Sequence, residues 1–396
     1  MMRPMIQSLD DISALDAQLS EEERLIQKSV RRFVRERYLP RAAELFEQEQ
    51  FPADLIPEIA ELGLLGASLK GYGCAGMSAV QYGLLLQELE YGDGGLRSFV
   101  SVQGSLAMYS IYAHGNEEQK KKYLPELARA KLIGCFGLSE PDSGSDPASM
   151  TTRARKDGDS YVLNGTKMWI TNSPLAHLAV VWAKVDDGGP ESIAGFVVER
   201  GTKGFETPKI HGKMSLRASE TGEIVLDECR IPAKNLLDAG RRGLGAPLSA
   251  LNQARFGIAW GALGAAKACF ESAVNYACSR VQFGVPIAAK QLTQEKFADM
   301  ASEIIKGDLM ALHFARLKDK NGKITPEQVS LCKRNNVGNA LAIARTCRNI
   351  LGGNGILLEY PIIRHMLNLE SVYTYEGTHE VHTLVLGKAL TGHSAF

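Results

Sequence analysis

The sequence predicts an α+β multidomain chain: an N-terminal helical domain over 1–135, a middle β-barrel-like domain over 136–238 and a C-terminal four-helix bundle over 239–396. Three observations carry this. The apolar period is helical at both ends of the chain and alternating in the middle. Capping pairs and Gly/Pro breaks punctuate the segments. The α–β–α order lacks both the strand–helix alternation and the early Gly-rich turn of a dinucleotide-binding parallel sheet.

Ser20 followed by Glu23 is a capping-box pattern, and Ile26, Val30, Phe33 and Val34 then share one helical face. Pro40 is expected to stop that helix. Pro52 opens a second one carrying Ile56, Ile59 and Leu62. A third runs from Ser78 to the Gly92-Asp93-Gly94-Gly95 break, and Asn116 with Gln119 repeats the capping pattern. In the middle region Tyr161-Val-Leu, Asn164-Gly165 and Lys167-Met-Trp-Ile read as a hairpin, because Asn-Gly suits a turn with positive φ. Ala179–Val185, Ile193–Glu199 and Glu223–Asp227 read as further strands. Helical segments then cover 248–280, 291–320, 326–351 and 378–391. Asn321-Gly322 and Thr325-Pro326 make a short joint, and long antiparallel helices with short joints imply a bundle.

Lys+Arg and Asp+Glu both number 45 in 396 residues, so the net charge is zero. That argues against a general nucleic-acid binder. No apolar run is long enough to span a bilayer, so no membrane association is expected. The opening MMRPMIQSLDDISALDAQL lacks a signal peptide's apolar core, and Asp10 and Asp11 fit a mitochondrial presequence poorly. A soluble, cytoplasmic bacterial protein is expected, or a mitochondrial matrix one in a eukaryote. The seven cysteines include no Cys-x-x-Cys pair, and an odd count suits reduced thiols in a reducing compartment.

Five segments carry candidate chemistry. In Tyr375-Glu376-Gly377-Thr378-His379-Glu380, Gly377 permits close ligand approach and Thr378 caps a helix whose amides would face an anion. Glu376 is then either a general base or a residue answering the helix dipole. In Cys135–Asp146, Gly144 between Ser143 and Ser145 offers amides and hydroxyls to phosphate or ring edges, or is a turn-rich surface loop. Trp169, ahead of Thr171-Asn172-Ser173, shields an aromatic cofactor or packs in a core. Arg280 at a helix end, with Phe283 and Gln291, clamps a pyrophosphate or simply suits the dipole. Leu351-Gly352-Gly353-Asn354-Gly355 is a C-terminal cap or a place of close nucleotide approach. His379 and His382 lack a third ligand, so no metal site is expected.

Taken together, FGLSEPDSGSD, WITNS, RVQFG, LGGNGI and YEGTHE resemble the acyl-CoA dehydrogenase family in order and spacing over nearly the whole chain. The resemblance implies that family's fold, with FAD between domains of a homotetramer and electrons passed to an electron-transfer flavoprotein. It makes Glu376 the catalytic base. Phe136, Gly137, Leu138, Ser139, Gly144, Ser145, Trp169, Thr171, Asn172 and Ser173 become the flavin wall. Arg280, Phe283 and Gln291 of a neighbouring subunit, with Asn349, Gly352, Gly353, Thr378 and Glu380, take the rest of the dinucleotide. Ser145, Asn252 and Arg255 match CoA-holding positions, and Gly377 lies against the substrate. Within the family, ELEYGDGGLRSFVSVQ, LNQARFGIAWG and TYEGTHEVH look like the glutaryl-CoA dehydrogenase group. There Arg97 and Ser98 meet a distal carboxylate, suiting a bidentate guanidinium. Arg97 otherwise pairs with Glu90 or Asp93. Glu90 and Tyr375 match residues tied to decarboxylation. Tyr91, Leu96, Gly104 and Tyr373 depart from that group's pattern, which bears on chain length. The implied reaction is glutaryl-CoA to crotonyl-CoA and CO2. The alternatives are a short-chain acyl-CoA dehydrogenase, an acyl-CoA oxidase and a non-catalytic flavoprotein.

Overall fold

A computed structural model describes residues 8–186, 193–237 and 243–395. The first seven residues of the N-terminal segment and the expected 238/239 boundary lie outside them. Among the described residues no helix is long and apolar enough to cross a membrane.

Helix α1 (Glu21–Phe33) starts at Ser20, whose hydroxyl and the Glu23 carboxylate cap each other's amides. Pro40 does not stop the helical path. The chain winds through a π turn (Val34–Tyr38) and a 3₁₀ turn containing Pro40 into Ala42–Glu47. The ring's missing donor is absorbed at the start of the 3₁₀ turn, where no amide bond is required. Helices α2 (Ala79–Gly92), α3 (Gly94–Ser101) and α4 (Glu117–Ala128) follow, with Ser78 and Asn116 closing capping boxes on α2 and α4. Almost every residue of α2 is buried, as suits a helix at the centre of the protein.

The middle of the chain forms β1 (Gly134–Gly137), β2 (Arg153–Asp157), β3 (Ser160–Thr171), β4 (Leu178–Val185), β5 (Ile193–Glu199), β6 (Phe205–Glu206) and β7 (Thr221–Pro232). They make one curled seven-stranded sheet in the order β1-β4-β2-β3-β7-β6, with β5 also paired to β4, and among the described residues it does not close into a barrel. Asn164-Gly165 is not a turn. β3 runs straight through it as a bulge opposite β7, with Gly165 at φ 144°. The Asn164 side chain accepts from the Glu228 amide at 2.8 Å across the pair. A Cβ on Gly165 would stand 2.5 Å from Thr152 Oγ1, so the bulge needs glycine. The real hairpin turn lies between β2 and β3, at Gly158 (φ 58°).

The last part holds α5 (Gly245–Ser279), α6 (Gln291–Asn321), α7 (Pro326–Ile350), α8 (Pro361–Thr374) and α9 (His379–Thr391). Gly322 ends α6 in a left-handed cap, and Thr325 closes a capping box on α7 with Pro326 behind it. α8 was not expected from the sequence. It buries Arg364, His365 and Asn368 beside Ile362 and Leu369, and those polar positions hide its apolar period. α2 lies against α5 with almost no separation. A Cβ on Gly264 would sit 1.9 Å from the Gln87 carbonyl, and one on Gly83 would sit 2.3 Å from the Trp260 indole.

Candidate active site

The link between α8 and α9 turns sharply. Glu376 (φ 50°) and Gly377 (φ 87°) are both left-handed, and Thr378 caps α9 by accepting from the Val381 amide at 3.2 Å. A non-glycine residue there costs about 1–2 kcal/mol, so something must hold it. Two cations do. Lys333 of α7 donates to the carbonyls of Tyr375, Glu376 (3.3 Å) and Gly377 (2.7 Å). Arg255 of α5 donates its Nε to the Glu376 carbonyl at 2.6 Å. A Cβ on Gly377 would come 2.9 Å from His382 Nε2 and 3.4 Å from Arg255 Nη2. The Glu376 amide donates no hydrogen bond among the described residues.

The Glu376 oxygen Oε2 is out of solvent and unpartnered. Burial raises this carboxyl above its ordinary value, while Lys333, Arg255 and Arg97 partly offset the rise. Burial pushes Lys333 below its ordinary value against the attraction of Glu376, helped by Arg255 and Arg97. A carboxylate with one oxygen buried and unbonded, and more basic than usual, can remove a proton from carbon.

Glu90 and Arg97 face each other across the break between α2 and α3. Asp93 makes that break by accepting from the Gly95 amide at 2.6 Å, and it also pairs with Arg364. A Cβ on Gly95 would meet the Ala218 carbonyl at 2.4 Å. Arg97 Nε binds Glu90 Oε2 at 2.7 Å with both side chains 1% exposed. Its Nη2 donates to the Tyr375 hydroxyl. Burial opposes the Arg97 charge, but Glu90 and Tyr375 outweigh it and the net shift is upward. Arg97 thus takes the Glu90 partner the sequence allowed, while Nη1 has no hydrogen bond among the described residues. The hydroxyls of Ser98 and Ser101 are buried and unpartnered.

The other expected residues fall into two groups. Phe136 and Gly137 end β1, buried, and Leu138 and Ser139 follow. The Met168 amide donates to the Ser139 carbonyl at 2.9 Å, fastening that stretch to a second bulge in β3. The bulge turns Trp169 (φ 63°) out to 59% exposure. Thr171, half-buried, closes β3; Asn172 donates to the Phe99 carbonyl at 3.3 Å, and the Ser173 hydroxyl is buried and unpartnered. Asn172 thereby ties this wall to α3, which carries Arg97 and Ser98. Gly144 and Ser145 stand exposed on the loop, with open space around Gly144. Ser143, expected to offer a free hydroxyl, instead donates to the Asp146 carbonyl at 2.6 Å and is closed into the loop.

The second group lies at the far end of the bundle. Arg280 ends α5, and a two-stranded hairpin, β8 (Val281–Gln282) and β9 (Val285–Pro286), turns at Phe283, which is 94% exposed. Gln291 begins α6. Asn349, Gly352 and Gly353 are exposed beside the turn after α7, which Asn354 anchors to Tyr276 at 3.0 Å. No hydrogen bond or ion pair among the described residues joins this group to Glu376 or to the Trp169 wall. Thr378 and Glu380 sit at the start of α9, and Asn252 and Arg255 one turn apart on α5.

Sequence reasoning missed Lys333. Its signal was a charge on the apolar stripe of α7, in step with Val329, Val337 and Ala340. A cavity of about 500 Å³ on α7, lined by Arg334, Arg345 and Glu370, includes neither Glu376 nor Arg97.

Three family profiles match: acyl-CoA dehydrogenase N-terminal domain at 20–131, middle domain at 135–229 and C-terminal domain at 241–391. A crystal structure of glutaryl-CoA dehydrogenase from Mycobacterium smegmatis is 57% identical with TM-score 0.96, covering 99% of this chain and 100% of that one. A second from that organism, in complex with FADH2, is 54% identical with TM-score 0.96 and the same coverage. The rat mitochondrial short-chain specific acyl-CoA dehydrogenase is 36% identical over 93% of this chain and 90% of its own. With all three domains matched and the buried, unpartnered Oε2 of Glu376 at the turn between its last two helices, the chain belongs to the acyl-CoA dehydrogenase family.

Proposed function

We propose that this protein is an FAD-dependent glutaryl-CoA dehydrogenase that oxidises and decarboxylates its substrate to crotonyl-CoA. The observation that carries the substrate is the buried Arg97, bonded to Glu90 and Tyr375 and followed by the unpartnered Ser98 hydroxyl. A guanidinium and a hydroxyl inside the protein suit a carboxylate tail and are wasted on a methyl one. The likeness to the two mycobacterial structures supports the same reading.

In this reading Glu376 removes the α-proton, and its own amide donates to the thioester oxygen where negative charge develops. FAD, when bound, accepts the β-hydrogen as hydride. The distal carboxylate then leaves as CO2, and Glu376 in its acid form returns a proton to the chain. Arg97 and Ser98 hold the carboxylate until that step, with Glu90 and Tyr375 fixing Arg97.

The residues present fit the flavin. Trp169 is an exposed aromatic face four residues before the orphaned Ser173 hydroxyl, and Gly144 leaves open space. Phe136 to Ser139, Ser145, Thr171 and Asn172 complete this ring wall. Arg280, Phe283 and Gln291 serve the flavin of a neighbouring subunit in a homotetramer, with Asn349, Gly352, Gly353, Thr378 and Glu380 completing the dinucleotide site. The bare Phe283, Leu292 (73% exposed) and Leu390 (85%) support such contacts. Ser145, Asn252 and Arg255 hold CoA, and Gly377 keeps the substrate's path open. The three parts 1–135, 136–238 and 239–396 act as domains around that cleft, and electrons leave to an electron-transfer flavoprotein.

The test is an anaerobic titration of the yellow protein with glutaryl-CoA, followed by product analysis with an artificial acceptor. Bleaching with crotonyl-CoA and CO2 is expected. Bleaching that stops at glutaconyl-CoA removes the decarboxylation. The rat relative favours a second reading, a short-chain saturated substrate. Arg97→Met separates the two: loss on glutaryl-CoA with butyryl-CoA use unchanged supports the first, and equal effects on both support the second.

A further inference from the structure

Three lysines are almost fully buried among the described residues: Lys167, Lys267 and Lys333. The first two face carboxylates, Glu140 at 2.8 Å and Asp308 at 2.9 Å. Lys333 has no such ion pair among the described residues. An ammonium has three donors, and all three of Lys333 reach successive carbonyls of one turn, Tyr375, Glu376 and Gly377. Burying a cation outside a direct ion pair is expensive, so the turn must gain what the charge loses. The gain is visible in the backbone: two left-handed residues in a row, φ 50° and 87°, whose carbonyls converge on one nitrogen.

We propose that Lys333 is a positioning residue that locks the Tyr375–Gly377 turn and so fixes the Glu376 carboxylate against the acyl chain. This rests on the reading of Glu376 as the base. Arg255 shares the Glu376 carbonyl but touches neither neighbouring one, so it cannot substitute.

Lys333 also acts through charge. The groups bearing on Glu376 are Lys333, Arg255 and Arg97, with Tyr82 and Tyr375 protonated nearby. His382, which burial pushes down to about 3, is neutral, and His379 is pulled below its ordinary value. Removing Lys333 takes away the first of the attractions that hold the Glu376 carboxyl down. The acid limb of the pH–rate profile then moves to higher pH.

The experiment compares wild type, Lys333→Met and Lys333→Gln as FAD-loaded proteins. Lys333→Met is expected to lower kcat about tenfold or more with KM nearly unchanged, since the base is misplaced and not the binding site. Its acid limb moves to higher pH. Amide exchange in a peptide spanning 373–381 accelerates about tenfold while α2 is unaffected. Lys333→Gln, which keeps donors but no charge, shifts the limb equally and loses less kcat; it carries the test if the Met variant does not fold. An unmoved acid limb and unchanged exchange overturn the proposal, as does a loss confined to melting temperature and FAD content. If wild type consumes no acyl-CoA, the proposed function fails, and the exchange measurement alone decides the role of Lys333.

Discussion

Gly261→Ala puts a methyl where Glu90 already is. The added Cβ would lie 2.0 Å from Glu90 Oε2 and 3.3 Å from Arg97 Nε. In an open helix the change stabilises by about 0.8–1 kcal/mol. Here the carboxylate must leave Arg97 or α2 must part from α5. Uncoupling a buried pair strands a charge, at about 3–5 kcal/mol. Subtracting the helical gain leaves a net loss of about 2–4 kcal/mol. At about 2–4 °C per kcal/mol for a folding unit of this bundle's size, the melting temperature falls by about 4–16 °C. Calorimetry or circular dichroism measures it. Gly387→Ala in α9 is the control, because a Cβ there meets nothing within 4 Å, and it should melt no lower than wild type. In the double variant with Glu90→Ala the methyl gains room, so the two losses should fall short of additive by about 1 kcal/mol. A Gly261→Ala protein that melts with the control, or strict additivity, would refute the close approach of α2 and α5 at this pair.

Glu376→Gln should melt higher than wild type at neutral pH while reducing no flavin. The folded carboxyl lies above its unfolded value, so its ionised form costs stability as pH rises through that window, and an amide removes the cost. Glu140→Gln should lower the melting temperature and loosen the 141–150 loop, which hydrogen exchange reports. Glu140 accepts from Thr151, Thr152 and Lys167; burial opposes its charge but these donors hold it down at about 2. Its contribution is therefore full above the ordinary carboxylate range and lost as pH falls toward 2, so the variant's deficit should vanish in acid. Trp169→Ala should leave the apoprotein's melting unchanged, because the ring is 59% exposed, yet weaken FAD binding about tenfold.

Local rules read the helices well because capping is local. Ser20 and Asn116 close the boxes read from the sequence, and Ser78 and Thr325, read only as a helix start and a joint, close boxes as well. They failed where a distant partner decides. Asn164-Gly165 has turn chemistry, but Glu228 on β7 and Thr152 beside β2 turn it into a bulge. α8 hid because its buried face includes Arg364, whose partner Asp93 lies far back in the chain. Glu376 was legible from its motif. The charge around its carboxylate was not, since three elements beyond the motif supply Lys333, Arg255 and Arg97. Trp169 was legible as an aromatic near hydroxyls, but its outward face depends on a register shift against β7.

The charges around Glu376 do not balance, and the imbalance gives a last prediction. Lys333, Arg255 and Arg97 face Glu376 and Glu90, three cations against two carboxylates, which leaves one positive charge. Lys333 yields to that surplus. Burial is the largest cause of its fall below the ordinary ammonium value, and Arg255 and Arg97 push the same way. A ligand carboxylate bound at Arg97 would cancel the surplus and draw Lys333 back up. Binding should then take up a fraction of a proton per site at pH values where Lys333 is partly deprotonated. A ligand with a methyl tail should take up less. Analogues with sulfur in place of the β-carbon bind without giving up a hydride, so a glutaryl-like and a butyryl-like pair can be compared at equilibrium. Calorimetric titration in two buffers of different ionisation enthalpy reads the protons directly. Greater uptake with the carboxylated analogue, abolished in Lys333→Met, is expected. Equal uptake by the pair would mean that the tail does not reach the field of Arg97, and a saturated acyl chain would become the better substrate.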